Sequence, residues 1–142
     1  MVSKTGQLIA LALAAALLLG GCSGQAVPLD ELFPARIGDY LRTDGPNHDP
    51  AHDVDSATYQ GLDGAVLLRV KFVGKDQITR ALDGMPLSAT NVNPDPALGQ
   101  RKGQFFDYGG QYHAAWGNGD WVFVVSAPTQ ASRIAFLAGY GF

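Results

Sequence analysis

The chain has little of three things. Cys22 is its only cysteine in 142 residues, Glu31 is the only glutamate among thirteen acidic residues, and no apolar run exceeds the twelve residues from Leu8 to Leu19. A single thiol excludes an intrachain disulfide and a cysteine-based metal cluster. Twelve residues at about 1.5 Å each span roughly 18 Å, well short of the roughly 30 Å hydrocarbon core, so the run is no permanent transmembrane helix. Aspartate favours turns and caps over helix interiors, and an acidic complement made almost wholly of aspartate predicts a turn-rich, strand-rich domain. Basic residues are also too few for a nucleic-acid partner: the net charge is −3, which gains nothing from phosphates or anionic headgroups.

What is present at the N-terminus explains the thiol. Met1 and Lys4 form a short positive region, the run Leu8–Leu19 has the length of a secretory h-region, and Gly20 and Gly21 supply the small residues a signal peptidase needs. The stretch Leu19-Gly20-Gly21-Cys22 resembles the lipobox of bacterial lipoproteins. That resemblance covers residues 1 to about 24. It implies a diacylglyceryl group on Cys22, cleavage before it, and an extracytoplasmic protein held to a cell or outer membrane by acyl chains, two or more of which give stable anchoring. The bland alternative is an ordinary secretory signal cut nearby, with Cys22 an incidental free thiol. The expected organisation is a signal peptide over 1–21, the lipidated cysteine and a tether over 22–29, and one globular domain over 30–142. Without Lys4 the ten basic residues become nine against thirteen acidic, a net charge of −4 for the mature chain.

Within the domain, "LDELFPARIGDYLRTDG" offers Leu29, Leu32, Phe33 and Ile37 to a core, and Pro34 limits any helix there to one turn. Residues 45–55 are polar with two prolines and read as a loop. "SATYQGLDGAVLLRVKFVG" reads as a hairpin pairing Tyr59 with Val66, which puts Ala57, Tyr59, Val66, Leu68, Val70 and Phe72 on one face and Arg69 and Lys71 on the other. "KDQITRALDGM" has helical spacing, with Ile78, Ala81, Leu82 and Met85 on one side. Residues 86–100 form a long proline-rich connection. A three-stranded meander then turns at Gly109-Gly110 and at Gly117–Asp120, and a C-terminal helix ends near Gly139. The fold class expected is α+β, a single antiparallel sheet of about five to six strands with two short helices packed on one face. If residues 38–44 form a further strand, the two halves make a duplicated β-β-β-α unit.

Three constellations merit weighing as sites. Pairing arithmetic in the meander puts Phe105, Tyr112, Ala114, Trp116, Trp121 and Phe123 on a core face, with Trp116 opposite Trp121. It puts Phe106, Tyr108, His113, Val122 and Val124 on the other, beside Arg69 and Lys71. Exposed apolar patches on monomers mark interaction sites, and aromatic and arginine side chains dominate binding hot spots, so this face is the leading candidate for contact with an envelope protein, a glycan or a ligand. The alternative is that the segment around Leu32, Phe33 and Ile37, or the connection 86–100, covers it as a second core.

The second constellation is "NHDPAHDVDS", where His48, Asp49, His52, Asp53 and Asp55 offer imidazole and carboxylate to a divalent metal. Pro50 between the histidines argues against one helix face, and the bland alternative is a solvated turn with aspartates capping local amides. The third is a hydrolase with His113 as a base. No Gly-x-Ser-x-Gly elbow exists, and the glycine pairs close hairpins instead of opening a helix under a phosphate. The sequence therefore reads as a non-enzymatic, lipid-anchored binding or assembly module. It needs no cofactor beyond the lipid on Cys22 unless the 48–55 loop takes a metal.

Overall fold

The computed structural model describes residues 27–83 and 102–142. The expected signal peptide over 1–21, Cys22 and the expected connection over 86–100 lie outside the described residues. Among those described, a one-turn helix α1 (Leu29–Leu32) leads into β1 (Arg36–Ile37), β2 (Tyr40–Asp49), β3 (Val54–Gly61) and β4 (Gly64–Phe72). A 3-10 turn (Lys75–Gln77) then runs into α2 (Ile78–Asp83). After the connection come β5 (Lys102–Tyr108), β6 (Gln111–Asn118), β7 (Trp121–Ala127) and α3 (Gln130–Gly139). The strands form a single antiparallel sheet in the order β1-β2-β3-β4-β7-β6-β5, curled into a half-barrel. No helix among the described residues is long and apolar enough to cross a membrane.

The class is α+β on one antiparallel sheet, but among the described residues there are seven strands instead of five or six and three helices instead of two. The unanticipated strand is the two-residue β1, and β2 and β3 are lengthened by 45–49 and 54–55, where the loop reading fails. β2 runs through Gly45 and Pro46 to Asp49, and only residues 50–53 turn. Its pairing to β3 is irregular there, shifting register between Arg42 and Asp44 and again between Asp44 and Asn47. A bulged edge of this kind admits proline and glycine that a regular central strand rejects.

Strand alternation decides the rest. Leu68, Val125, Ala114 and Phe105 are successive cross-strand partners on one face, and all are buried. α3 lays Phe136 and Leu137 on that face, and α1 adds Leu32 and Phe33, all four at 0 % exposure. Aromatic edges fill the space between: Phe136 meets Tyr40 and Tyr59 in T-shaped contacts at 5.5 and 5.3 Å. The phenols reach backbone carbonyls, Tyr59 donating to Pro34 O at 2.9 Å and Tyr140 to Leu32 O at 2.7 Å, which satisfies polar tips carried into an apolar layer. The α3 N-terminus is closed by a capping box in which Thr129 Oγ1 accepts from the Ser132 amide and Ser132 Oγ accepts from the Thr129 amide.

The Trp116–Trp121 pair does not form. The turn is two residues long, so Asn118 faces Trp121 and Trp116 faces Phe123, stacked at 5.3 Å. A register shift of two leaves every side chain on its expected face while changing every partner. Trp121 instead meets Phe72 edge-on at 5.2 Å, at the end of the sheet where Phe72 is half exposed.

The helices do not share a face. Gly117 stands on the side opposite the core, and a Cβ there would lie 2.2 Å from Ile78 Cγ2, so α2 sits directly on the second face over a residue without a side chain. The β6–β7 turn fixes that placement: Asp120 O accepts from the amides of Val73 and Gly74, and its carboxylate accepts from the Lys75 amide at 2.8 Å. Two helices on opposite faces correct the expectation of two helices on one, because β4 enters α2 through Gly74 in the left-handed region (φ +82°), whereas β7 enters α3 through Pro128 and the Thr129 cap.

Candidate functional site

The second face of the sheet, partly roofed by α2, holds a cavity of about 450 Å³. Its walls include Val54, Val73, Ala81, Val122, Val124 and Phe106, and the residues expected on this face from strand alternation, Phe106, Tyr108, His113, Arg69 and Lys71, all line it. The register brings them together: Phe106 pairs with His113, Arg69 with Val124 and Lys71 with Val122. It is a recess, not an open patch. Phe106 is 3 % exposed and His113 6 %, while Tyr108 stands 55 % exposed at the rim. The segment Leu32–Ile37, offered as a cover, packs into the core on the opposite side of the sheet.

His113 is held at every polar atom. Nε2 lies 2.9 Å from Tyr108 O, and a carbonyl only accepts, so Nε2 carries the proton. In the neutral ring Nδ1 is then the acceptor, and it takes the Ser126 hydroxyl proton at 2.7 Å. Arg69 Nη2 donates to the same hydroxyl at 3.5 Å. The backbone carbonyl of His113 accepts from Arg133 Nη1 at 2.9 Å. Arg133, reaching from α3, is itself buried over the Phe105 ring and 3.7 Å from the Asp107 carboxylate. Phe106 stacks flat on the imidazole, 4.9 Å between centroids. With both nitrogens taken by protein groups, His113 builds the cavity wall. The Ser126–His113 pair has the connectivity of a hydroxyl and its base, yet Ser126 is 1 % exposed and does not line the cavity. The third member is a carbonyl, not a carboxylate.

The two cations are placed differently. Lys71 Nζ donates to His52 O at 2.8 Å, and Arg69 remains exposed. These bonds use one donor of each, where an ammonium has three and a guanidinium five. Two residues apart on one strand, the side chains project in the same direction with origins about 7 Å apart. No aspartate or glutamate is among the described residues lining the cavity.

The 48–55 cluster does not converge. His48 Nδ1 bonds Asp55 at 2.9 Å with its Nε2 3.7 Å from Asp53, and His52 Nδ1 bonds Asp49 at 2.7 Å. The imidazole beside Asp49, with a further bond from the Ala51 amide, holds that carboxyl below its ordinary value. Among the described residues no group of three or more histidine, cysteine or acidic side chains comes together as a metal site. His48 is turned to Asp55 and Asp53 and His52 to Asp49, because residues 50–53 form a tight turn that puts His48 on the strand and His52 outside it.

Sequence reasoning missed Ser126 and Arg133, the groups that fix His113. Ser126 carries a signal, since it is a hydroxyl in an otherwise apolar strand "WVFVVSA" on the same face as His113; Arg133 carries none.

No family model matches the chain, and no curated protein does. Among solved structures, a crystal structure described as a GTP binding regulator from Thermotoga maritima is similar, with a TM-score of 0.54 and 17 % identity over 78 % of this chain and 82 % of that one. At that identity the likeness is one of fold alone.

Proposed function

We propose that the chain is a lipid-anchored, extracytoplasmic binding module, tethered through Cys22, that holds a ligand or envelope partner in the cavity on the second face of the sheet and does no chemistry on it. What carries the reading is the cavity itself: apolar walls, two cations with donors to spare, and an aromatic rim at Tyr108. Binding sites have this make-up, a few hundred cubic ångströms of mostly apolar lining with a small number of placed polar groups. A nucleotide-binding role is not carried over from the structural neighbour, because this sequence has no glycine-rich loop of the form Gly-x4-Gly-Lys-Ser/Thr. The two meanders, β2–β4 and β5–β7, each followed by a helix, also support descent from a duplicated β-β-β-α unit whose first helix moved to the opposite face.

The anchor is tested by mass and by phase partition. Wild-type protein should enter the detergent phase carrying a lipid increment on Cys22, and Cys22→Ser should remain uncleaved or appear in the aqueous phase without it. A wild-type protein with an unmodified thiol in the aqueous phase would show the anchor to be wrong. The binding role is tested by capture from solubilised envelopes with lipidated protein, comparing wild type with Tyr108→Ala. A specific protein or glycan retained equally by both excludes the cavity rim as the contact.

A further inference from the structure

Resting on the reading of the cavity as a binding site, we infer that its ligand is a single-chain amphiphilic anion, an alkyl carboxylate, with its chain against Val54, Val73, Ala81, Val122 and Val124 and its head between Arg69 and Lys71.

Charge supports the head. The chain is acidic overall at −3, yet among the described residues lining the cavity both ionised groups are basic. Arg69 and Lys71 leave the same face of one strand, about 7 Å apart. Like charges so placed repel, and an anion seated between them removes that penalty while taking charge-assisted hydrogen bonds from both. His113 does not compete for this role, since its Nε2 proton goes to Tyr108 O and its Nδ1 takes the Ser126 hydroxyl. The Lys71–His52 carbonyl bond fixes one end of the receiving pair in advance, which lowers the ordering cost of binding.

Shape and chemistry support the tail. Among the described residues the walls beyond the two cations are aliphatic or aromatic, and His113 shows the cavity only a ring whose nitrogens are already bonded. A methylene takes up about the room of a water, about 30 Å³, so a chain of about ten carbons fills roughly 300 Å³ of the 450 Å³. The protein's own lipid is disfavoured as occupant, because Val27, where the described chain begins, packs against the core on the opposite side of the sheet.

The test uses the full lipidated chain in phospholipid nanodiscs, with empty nanodiscs to subtract partition into the bilayer. Hexanoate, octanoate and decanoate labelled at the carboxyl carbon are titrated by NMR, beside decanol. The expected result is saturable binding that tightens about fourfold per added methylene. Arg69→Gln should weaken decanoate about tenfold and leave decanol unchanged, and Ala81→Phe, which fills the cavity from α2, should abolish both, with circular dichroism confirming that each variant is folded. Equal binding of decanol and decanoate, insensitive to Arg69→Gln, overturns the anionic head while leaving an apolar binding cavity. Binding of decanoate that Ala81→Phe does not touch overturns the cavity as its site. If no member of the series binds, and the chain instead dimerises in a manner that Ala81→Phe abolishes, the occupant is a second copy and the carboxylate proposal fails.

Discussion

The two faces of this sheet draw on the same strands and nearly the same residue types, yet they come to different ends. On the core face Trp116, Phe123, Phe136, Tyr59 and Leu68 are sealed to 1 % exposure or less by α1, α3 and one another. On the other face Phe106 and Val122 are nearly as well hidden, but a recess of about 450 Å³ remains beside them. Apolar composition alone therefore does not make a core. The core face receives two helices that present large side chains to it, whereas the second face receives the short α2, which docks through Ile78 onto Gly117 and contributes little more than Ala81 to the recess. Close packing needs volume from both sides of an interface, and among the described residues the second layer is too thin to supply it.

Truncating each face in turn is the sharpest way to break this contrast. Phe136→Ala removes a fully buried ring with edge contacts to Tyr40 and Tyr59 and should cost about 3–5 kcal/mol in denaturant unfolding. A loss below about 1 kcal/mol would mean the core face is not the sealed one.

A second test of the core face uses pH. Burial pushes the Tyr59 hydroxyl up to about 12 against an ordinary 10.0, opposed in part by Arg42. The folded state then holds this proton where the unfolded state has released it, so stability should be full below about pH 10 and fall as pH rises from there to about 12. The loss is on the order of 2 kcal/mol. In Tyr59→Phe that alkaline decline should shrink, at the expense of about 1 kcal/mol at neutral pH for the lost bond to the Pro34 carbonyl. Equal alkaline slopes in both proteins would contradict a buried phenol.

On the cavity face the effects should be smaller. Phe106→Ala enlarges a recess that already exists instead of opening a void in a sealed layer, and should cost about 1–3 kcal/mol, less than Phe136→Ala in the same assay. Tyr108→Ala, at the exposed rim, should change stability by no more than about 0.5 kcal/mol while weakening capture of the partner or ligand. A large destabilisation at Tyr108 would reassign the rim to the core.

How far the sequence could be read varied with the kind of question. Phe105, Phe106, His113, Ala114, Trp116, Val122, Phe123 and Val124 sorted onto their correct faces, and so did Ala57, Tyr59, Val66 and Leu68, because a strand has a period of two and a turn wrong by two residues preserves parity. The same tolerance hid the error at Trp116, whose partner is Phe123. Residues 45–49 read as a loop because proline and glycine are rare in regular strands, and only the bulged pairing with β3 shows how they are admitted. His48, Asp49, His52, Asp53 and Asp55 looked like one cluster in sequence and divide in space, His48 lying with Asp53 and Asp55 and His52 with Asp49. Neighbours along a turn point in different directions, a fact that spacing does not record.

The sequence by itself determined which side chains share a face, where the one-turn helix α1 and the helix α3 must stop, and that the sole thiol lies in a lipobox-like stretch and not in the domain. These depend on local chemistry: alternation, Pro34, the glycine near which α3 ends and the absence of any second cysteine. The tertiary structure alone decided which face is filled. That outcome depends on where β4 and β7 deliver their helices, and left-handed Gly74 and capped Thr129 send them to opposite sides. It also decided that His113 is a wall held by Ser126, Tyr108 O and Arg133, since those partners lie 13, 5 and 20 residues away and meet it only once the strands have paired and α3 has docked.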